Sequence, residues 1–470
     1  MAEWRISNEV PLRELDGLDH ERCAALHNYV VELGWTQRGL ALDTLDKCTW
    51  WQCYGGDAAL ASTAERLNTS VVSFLKAAWH GYAMDSALKP HRFHRYLGGL
   101  SSPEQLWRAI DYAEDEDNSN KPCYVLLYMA NEALGATHPL GLVLNQGEAT
   151  AMQHMSIRDT EITMNGRQLW LPLEIVLDTL VDLIEQGKIL AVDATYSGEQ
   201  ERTEPWIMPS YTERDLEESL QAFQQLVDAI HDRMPSQPQS VEQGLLEMVT
   251  AGNPAILPAN SFAHRFLAQC PRPAFTHIAP GLSIAQNQPF APALGQAGAN
   301  NLFPLLLFAS TSSAHQEFRR APWGEQVRES PFARDFNNIS SYPAGLYLSE
   351  SDPYGPHPFE DGCKLVLPFT LGSNAFARTS DGALIGEHVR REGDETAEIE
   401  PKSAELYQLG FNHFIAAHDV QLRYVLGKWL EMIEEGKWEV DEHGVVGGVE
   451  KWREADMEEH WAEYQLSMSW

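Results

Sequence analysis

The chain has 470 residues, 44% of them hydrophobic, and carries 67 Asp and Glu against 34 Lys and Arg for a net charge of −33. Such an acidic excess repels phosphate backbones and anionic bilayers, which excludes general nucleic-acid binding and membrane adhesion. The apolar and aromatic content supplies sizeable cores and excludes extensive disorder.

The charge is unevenly spread. Residues 1–235 hold 36 acids and 18 bases, residues 331–470 hold 26 and 11, and residues 236–330 only five of each. Charged side chains are rarely buried unless paired, so the neutral stretch is expected inside the molecule or around something it binds. The expected organisation is an acidic N-terminal lobe (1–235), a neutral central segment (236–330) packed between lobes, and an acidic C-terminal lobe (331–470).

In chain order, Met1–Glu9 carries charges where a signal peptide needs an apolar run, and the six cysteines are scattered, so the expected location is the cytoplasm. Apolar residues at three- and four-residue spacing predict helices over Asp19–Glu32 and over Ala59–Ala83, the latter broken near Asn68. Cys48 and Cys53 flank two tryptophans and read as a buried aromatic segment rather than a redox pair. Lys89–Arg95 is the only dense basic run in an acidic half, and Lys89 and Arg92 are candidate ligands for a substrate anion. Ser102-Pro103 starts a helix to Ala113. Strands are expected at Cys123–Met129, His138–Asn145 and Gln168–Leu171, and helices at Glu174–Gln186 and Glu213–Arg233.

The central segment is rich in proline (Pro271-Arg272-Pro273, Pro280), so irregular but ordered backbone is expected, with a flexible tip within Ala285–Asn301. His264, Phe275 and His277 are its candidate substrate-binding residues. Its most apolar part, Asn301–Ser310, is far short of the ~20 residues needed to span a bilayer. Further strands are expected at Gly345–Leu348, Cys363–Phe369 and Leu384–Val389, and helices at Ala404–Glu435 and Lys451–Tyr464. Helical geometry would put Trp452 and Trp461 on opposite faces, with Trp461 and Tyr464 packed against the body and Trp470 docked as an extended end. Without regular strand–helix alternation, the expected class is α+β: a helix-rich, two-lobed globular protein with small antiparallel or mixed sheets.

Two helix ends echo one another at a constant offset of 249: Val176-Leu177 to Ile184-Glu185-Gln186-Gly187-Lys188, and Val425-Leu426 to Ile433-Glu434-Glu435-Gly436-Lys437. This fits either a duplication or two ordinary glycine-terminated helices.

Chemistry is expected at Ser349–Asp361, a proline-stiffened loop carrying Asp352, Tyr354, His357 and Asp361, with His357 as an acid/base group beside carboxylates. The same residues also build ordinary turns. The pairs His91/His94 and His413/His418 lack the convergence a metal needs, and no glycine-rich phosphate loop or nucleophile elbow occurs, so no cofactor is expected. The functional expectation is a soluble enzyme acting on a small, largely apolar molecule by acid/base chemistry. The alternative is a binding or scaffold protein that presents its acidic, Trp-rich surface to a basic partner.

Overall fold

The computed structural model describes residues 1–467 except 8, 81–91, 112–122, 132–140, 155–161, 164–169, 199–201, 236–243, 292–302, 312–314, 318–330, 333–340, 350–358, 381, 386–389, 392–402 and 410–418. The fold is α+β, and the chain divides into two compact units. The first is Met1–Pro209 with Val389–Glu395, the second Ser210–His388 with Thr396–Trp470. The described parts of the charge-poor segment are elements of the second unit.

The first unit contains the helices α1 (His20–Thr36), α2 (Trp50–Cys53), α3 (Gly56–Ala59), α4 (Ala61–Arg66), α5 (Thr69–Ala77) and α6 (Leu173–Glu185). Its strands are β1 (Leu97–Leu100), β2 (Tyr124–Ala130), β3 (Gly141–Asn145), β4 (Thr150–His154), β5 (Ile162–Thr163), β6 (Leu171–Pro172), β7 (Leu190–Ala191) and β8 (Trp206–Ile207). α1 starts where the Asp19 carboxylate accepts the Arg22 backbone N–H, and it buries Cys23, Leu26, His27, Val30 and Val31. It packs against α6, while β1-β2-β3-β4-β6 form an antiparallel sheet.

The second unit contains α7 (Glu213–Arg233), α8 (Leu245–Val249), α9 (Phe262–Gln269), α10 (Leu422–Glu434) and α11 (Trp461–Tyr464). Its strands are β9 (His277–Ala279), β10 (Leu282–Ile284), β11 (Leu305–Ser310), β12 (His315–Glu317), β13 (Ser341–Pro343), β14 (Gly345–Leu348) and β15 (Gly362–Leu371). β16 (Arg390–Arg391) belongs to the first unit, where it pairs with β5, and the strands of the second unit continue with β17 (Ser403–Glu405), β18 (Val420–Gln421), β19 (Val440–Asp441) and β20 (Gly444–Val445). α7 is nucleated by a capping box between Thr212 and Asp215 and packs against α10. The sheet runs β17-β15-β14-β11-β10-β9-β20-β19, with β18 also paired to β15. All its pairs are antiparallel except β20 with β9.

The two sheets repeat one another register by register. In the first, Leu126 pairs with Val143, a bulge follows, and Tyr128 pairs with Leu142 and Met129 with Gly141. In the second, Leu306 pairs with Tyr347, a bulge follows, and Phe308 pairs with Leu346 and Ala309 with Gly345. Each bulged carbonyl accepts the N–H just past the neighbouring strand: Ser101 to Leu127 at 3.0 Å, Ala285 to Leu307 at 3.1 Å. The next strand pairs in the same way with the two residues before a long helix, α6 or α10, Ala151 with Leu171 and Cys363 with Val420. That helix's first N–H bonds Ala149 in one unit and Asp361 in the other.

Several expectations are corrected. Ala404–Glu435 is not one helix: β17 and β18 precede α10, because their backbones pair with β15. Lys451–Tyr464 is a 3₁₀ helix at Val449–Asp456 followed by the short α11, so the opposite-face argument for its tryptophans does not apply. Trp452 is fully buried with its Nε1–H on the Pro280 carbonyl at 2.9 Å. Tyr464 packs on it at 5.9 Å, Trp461 is half-buried under Arg378, and Trp470 lies outside the described residues. The central segment, where described, alternates short helices and strands with irregular stretches such as 270–276 and 285–290, and Phe262, Phe266, Phe290 and Leu305–Phe308 fill the core of the second unit. Cys48 and Cys53 form a disulfide around α2, where Trp50 and Trp51 are buried as expected.

Candidate functional site

A polar cluster forms where β14, β15, β17 and β18 meet. Lys364 stands opposite Tyr347 on β14, and Val366 stands opposite Glu405 on β17. Alternate strand residues and directly opposed pairs share a face, so Tyr347, Lys364 and Glu405 lie on one side of the sheet. The Lys364 ammonium pairs with Asp419 and lies 3.7 Å from Glu405. Ser349 donates to the other oxygen of Asp419. Gly362 makes room for this approach, because a Cβ there would lie 2.9 Å from that of Asp419 and 3.1 Å from the Ser349 hydroxyl. Backbone pairing of Ser349 with Gly362 at 2.9 Å closes the root of the 349–361 loop.

Burial pushes the Glu405 carboxyl up to about 7, with Asp419 adding to the shift and Lys364 opposing it. A carboxyl poised there exchanges a proton near neutral pH. Beside it stands an aromatic wall in which Phe332 packs on Tyr342 and on Tyr347, each at 5.1 Å, and Phe290 packs on Tyr347 at 5.9 Å. Burial, and secondarily Glu405, raises the Tyr342 hydroxyl well above its ordinary value.

The first unit is an internal comparison for this cluster. By the shared registers, Ser349, Lys364 and Asp419 correspond to Asn145, Met152 and Trp170. Met152 is buried, and Trp170 packs against Tyr124 at 5.6 Å. The same scaffold therefore stands without ionisable groups at these places. Buried ion pairs are weak stabilisers, so packing alone gives no reason for the cluster.

The expected site residues fall elsewhere or nearby. Asp352, Tyr354, His357 and Lys89 lie outside the described residues. Asp361 is buried, with its carboxylate accepting from Gln421 at 2.7 Å. Its neighbour Glu360 accepts the Phe262 N–H at 2.7 Å, which ties the loop end to the start of α9, where His264 is half-buried. His277 is on β9, its buried Nδ1 without a hydrogen-bond partner, and Phe275 packs edge-on against His231 at 5.2 Å. Arg92 is exposed in the first unit. The structure thus joins Asp361 to the foot of the loop but places Phe275, His277 and Arg92 in other surroundings.

Lys364, Glu405 and Asp419 were missed in the sequence, and Ser349 was read only as the start of the loop. The available signal was a single lysine inside the apolar strand Cys363–Phe369. Among the described residues, no three His, Cys, Asp or Glu side chains converge to hold a metal, and no helix is long and apolar enough to cross a membrane. Comparison with protein-family models, curated proteins and solved structures finds no match.

Proposed function

We propose that the protein is an enzyme that acts on a small, largely apolar molecule by acid/base chemistry, without a nucleotide cofactor, at the Glu405 cluster of the second unit. Glu405 would hold and release the proton, while Lys364 and Asp419 fix its charge state. Ser349 would offer a hydroxyl to the substrate, and the Tyr342–Tyr347 wall its apolar surface. The observation that carries this reading is the replacement of Asn145, Met152 and Trp170 by Ser349, Lys364 and Asp419 at equivalent places of one scaffold. Four of the six cysteines are free thiols, three of them buried, and these support a cytoplasmic location against the single Cys48–Cys53 disulfide.

The test is mass spectrometry of small molecules that co-purify with the wild-type chain, followed by turnover of the recovered compound. Glu405→Gln should retain the compound and lose turnover by about 100-fold or more, the usual scale for a general acid or base. A wild-type chain that carries nothing, or a variant with unchanged turnover, rejects the proposal. The rival reading, an acidic scaffold for a basic partner, draws support from the net charge of −15 over residues 331–470.

A further inference from the structure

We infer that the two units are copies of one folding module, duplicated within the chain, and that the second copy was lengthened at three of its strand connections. The duplication needs no role for Glu405; only the functional meaning of the longer hairpin rests on the proposed site.

Four independent features carry it. The first helices of the two units begin at residues 20 and 213, and α5 and α9 begin at residues 69 and 262, the same 49 residues later in each. The bulge falls between the same paired positions of the two sheets, and a glycine, Gly141 or Gly345, closes each register. α6 and α10 are both 13 residues long, and each ends at a left-handed glycine, Gly187 or Gly436, two residues past the helix. Two residues beyond that glycine, Ile189 and Trp438 each return a backbone N–H to the last turn, on Leu183 and Met432, at 3.0 Å. A sequence trace survives around the two glycines, as Pro-x-Gly-Leu-x-Leu at 139–144 and 343–348. General rules of sheet packing reproduce an order of strands. They do not dictate a bulge, a glycine and a helix terminus at matching places.

The copies part at three connections: Tyr128 to Leu142 spans 14 residues but Phe308 to Leu346 spans 38, Ala151 to Leu171 spans 20 but Cys363 to Val420 spans 57, and the β3–β4 turn is lengthened as well. In the first unit, three residues (Gln146, Gly147, Glu148) separate Asn145 from Ala149; in the second, residues 350–360 separate Ser349 from Asp361. Slow growth of closure entropy with loop length lets such an insertion persist at little cost. The second copy, with the longer hairpin, is the one that carries Lys364, Asp419 and Ser349.

The test is a graft in the full-length chain. Residues 345–363 are replaced by residues 141–151, which sets each grafted side chain at its equivalent place. A control graft replaces residues 346–364 with the same segment, one residue out of step, which turns every side chain to the opposite face. Duplication predicts cooperative thermal unfolding for the in-step graft, with a midpoint within about 10 °C of the parent chain. It predicts loss of cooperative unfolding for the control. An in-step version with aspartate kept at the Asp361 place preserves the bond to Gln421 and guards against a purely local failure. If both in-step versions unfold, or if in-step and out-of-step grafts behave alike, the inference is overturned. Neither result bears on whether Glu405 turns over a substrate.

Discussion

Gly141 and Gly345 stand at the same step of two different sheets, each facing a backbone carbonyl, that of Tyr128 in one and Phe308 in the other. A Cβ at either place would run into that oxygen, and both glycines have positive φ, 128° and 155°. Gly141→Ala and Gly345→Ala should therefore each destabilise by about 3 kcal/mol or more, since backbone must move to admit the methyl group. Urea unfolding of the two variants checks this, and wild-type midpoints for either would remove the claimed close approach.

Glu405 gives the folded state a pH dependence of known sign. Its carboxyl is raised to about 7 on folding from an ordinary value of 4.5, so the folded state binds the proton more tightly. Stability from this group is complete below pH 4.5 and falls as pH rises through 7, by up to about 3 kcal/mol. Glu405→Gln should abolish that fall, making the variant relatively more stable at pH 8 than at pH 5. Parallel slopes of stability against pH in variant and parent would count against it.

His27 acts in the opposite direction. It is stacked on Phe93 at 4.6 Å, and its ring nitrogens meet the Tyr128 hydroxyl at 2.7 Å and the Trp79 carbonyl at 2.8 Å. A neutral ring satisfies both, with Nε2 donating to the carbonyl and Nδ1 accepting from the hydroxyl. Burial lowers its pKa to about 4, and buried His94 is lowered further, to about 3. Both groups take up protons on unfolding, so stability is lost as pH falls from 6.5 toward 3–4. Acid titration of the intact chain by circular dichroism should show the transition shift to lower pH in His27→Gln if the variant folds. An unshifted transition in a folded variant would assign acid unfolding to other groups.

Asp456 closes a loop from a distance. Its two carboxylate oxygens accept the N–H groups of Gly372, Asn374, Phe376 and Ala377 at 2.9–3.1 Å, and the side chain is buried. Asp456→Ala leaves four donors unanswered, each costing on the order of 1 kcal/mol or more. Asp456→Asn should recover part of that loss through its remaining carbonyl oxygen. Hydrogen exchange at residues 372–377 reports it directly: protection there should drop in the alanine variant before global unfolding does.

Local signals were legible in the sequence. The helix Glu213–Arg233 and the strand Gly345–Leu348 match their expected bounds, because a capping box, an amphipathic period and a glycine edge are written in neighbouring residues. The strands β9, β10 and β11 were not read, since β9 and β10 are only three residues long and β11 is apolar on both faces, which leaves no alternation to detect. β17 and β18 were absorbed into a helix because only pairing with β15 makes them strands. The candidate site failed for the same reason. Its charged groups sit at 364, 405 and 419 and meet only through sheet register, whereas the loop at 349–361 advertised itself through proline and histidine.

The pairing of β16 with β5 makes manufacture of the chain a matter of timing. A ribosome releases residues from the N-terminus onward, so Ile162 and Thr163 emerge more than two hundred residues before Arg390 and Arg391 exist. Through that interval these two residues lack the strand they pair with, while most of the second unit is still being synthesised. An unpaired edge is a template for foreign strands. The time these backbone groups wait for their partner strand is therefore set by translation speed between residues 163 and 391.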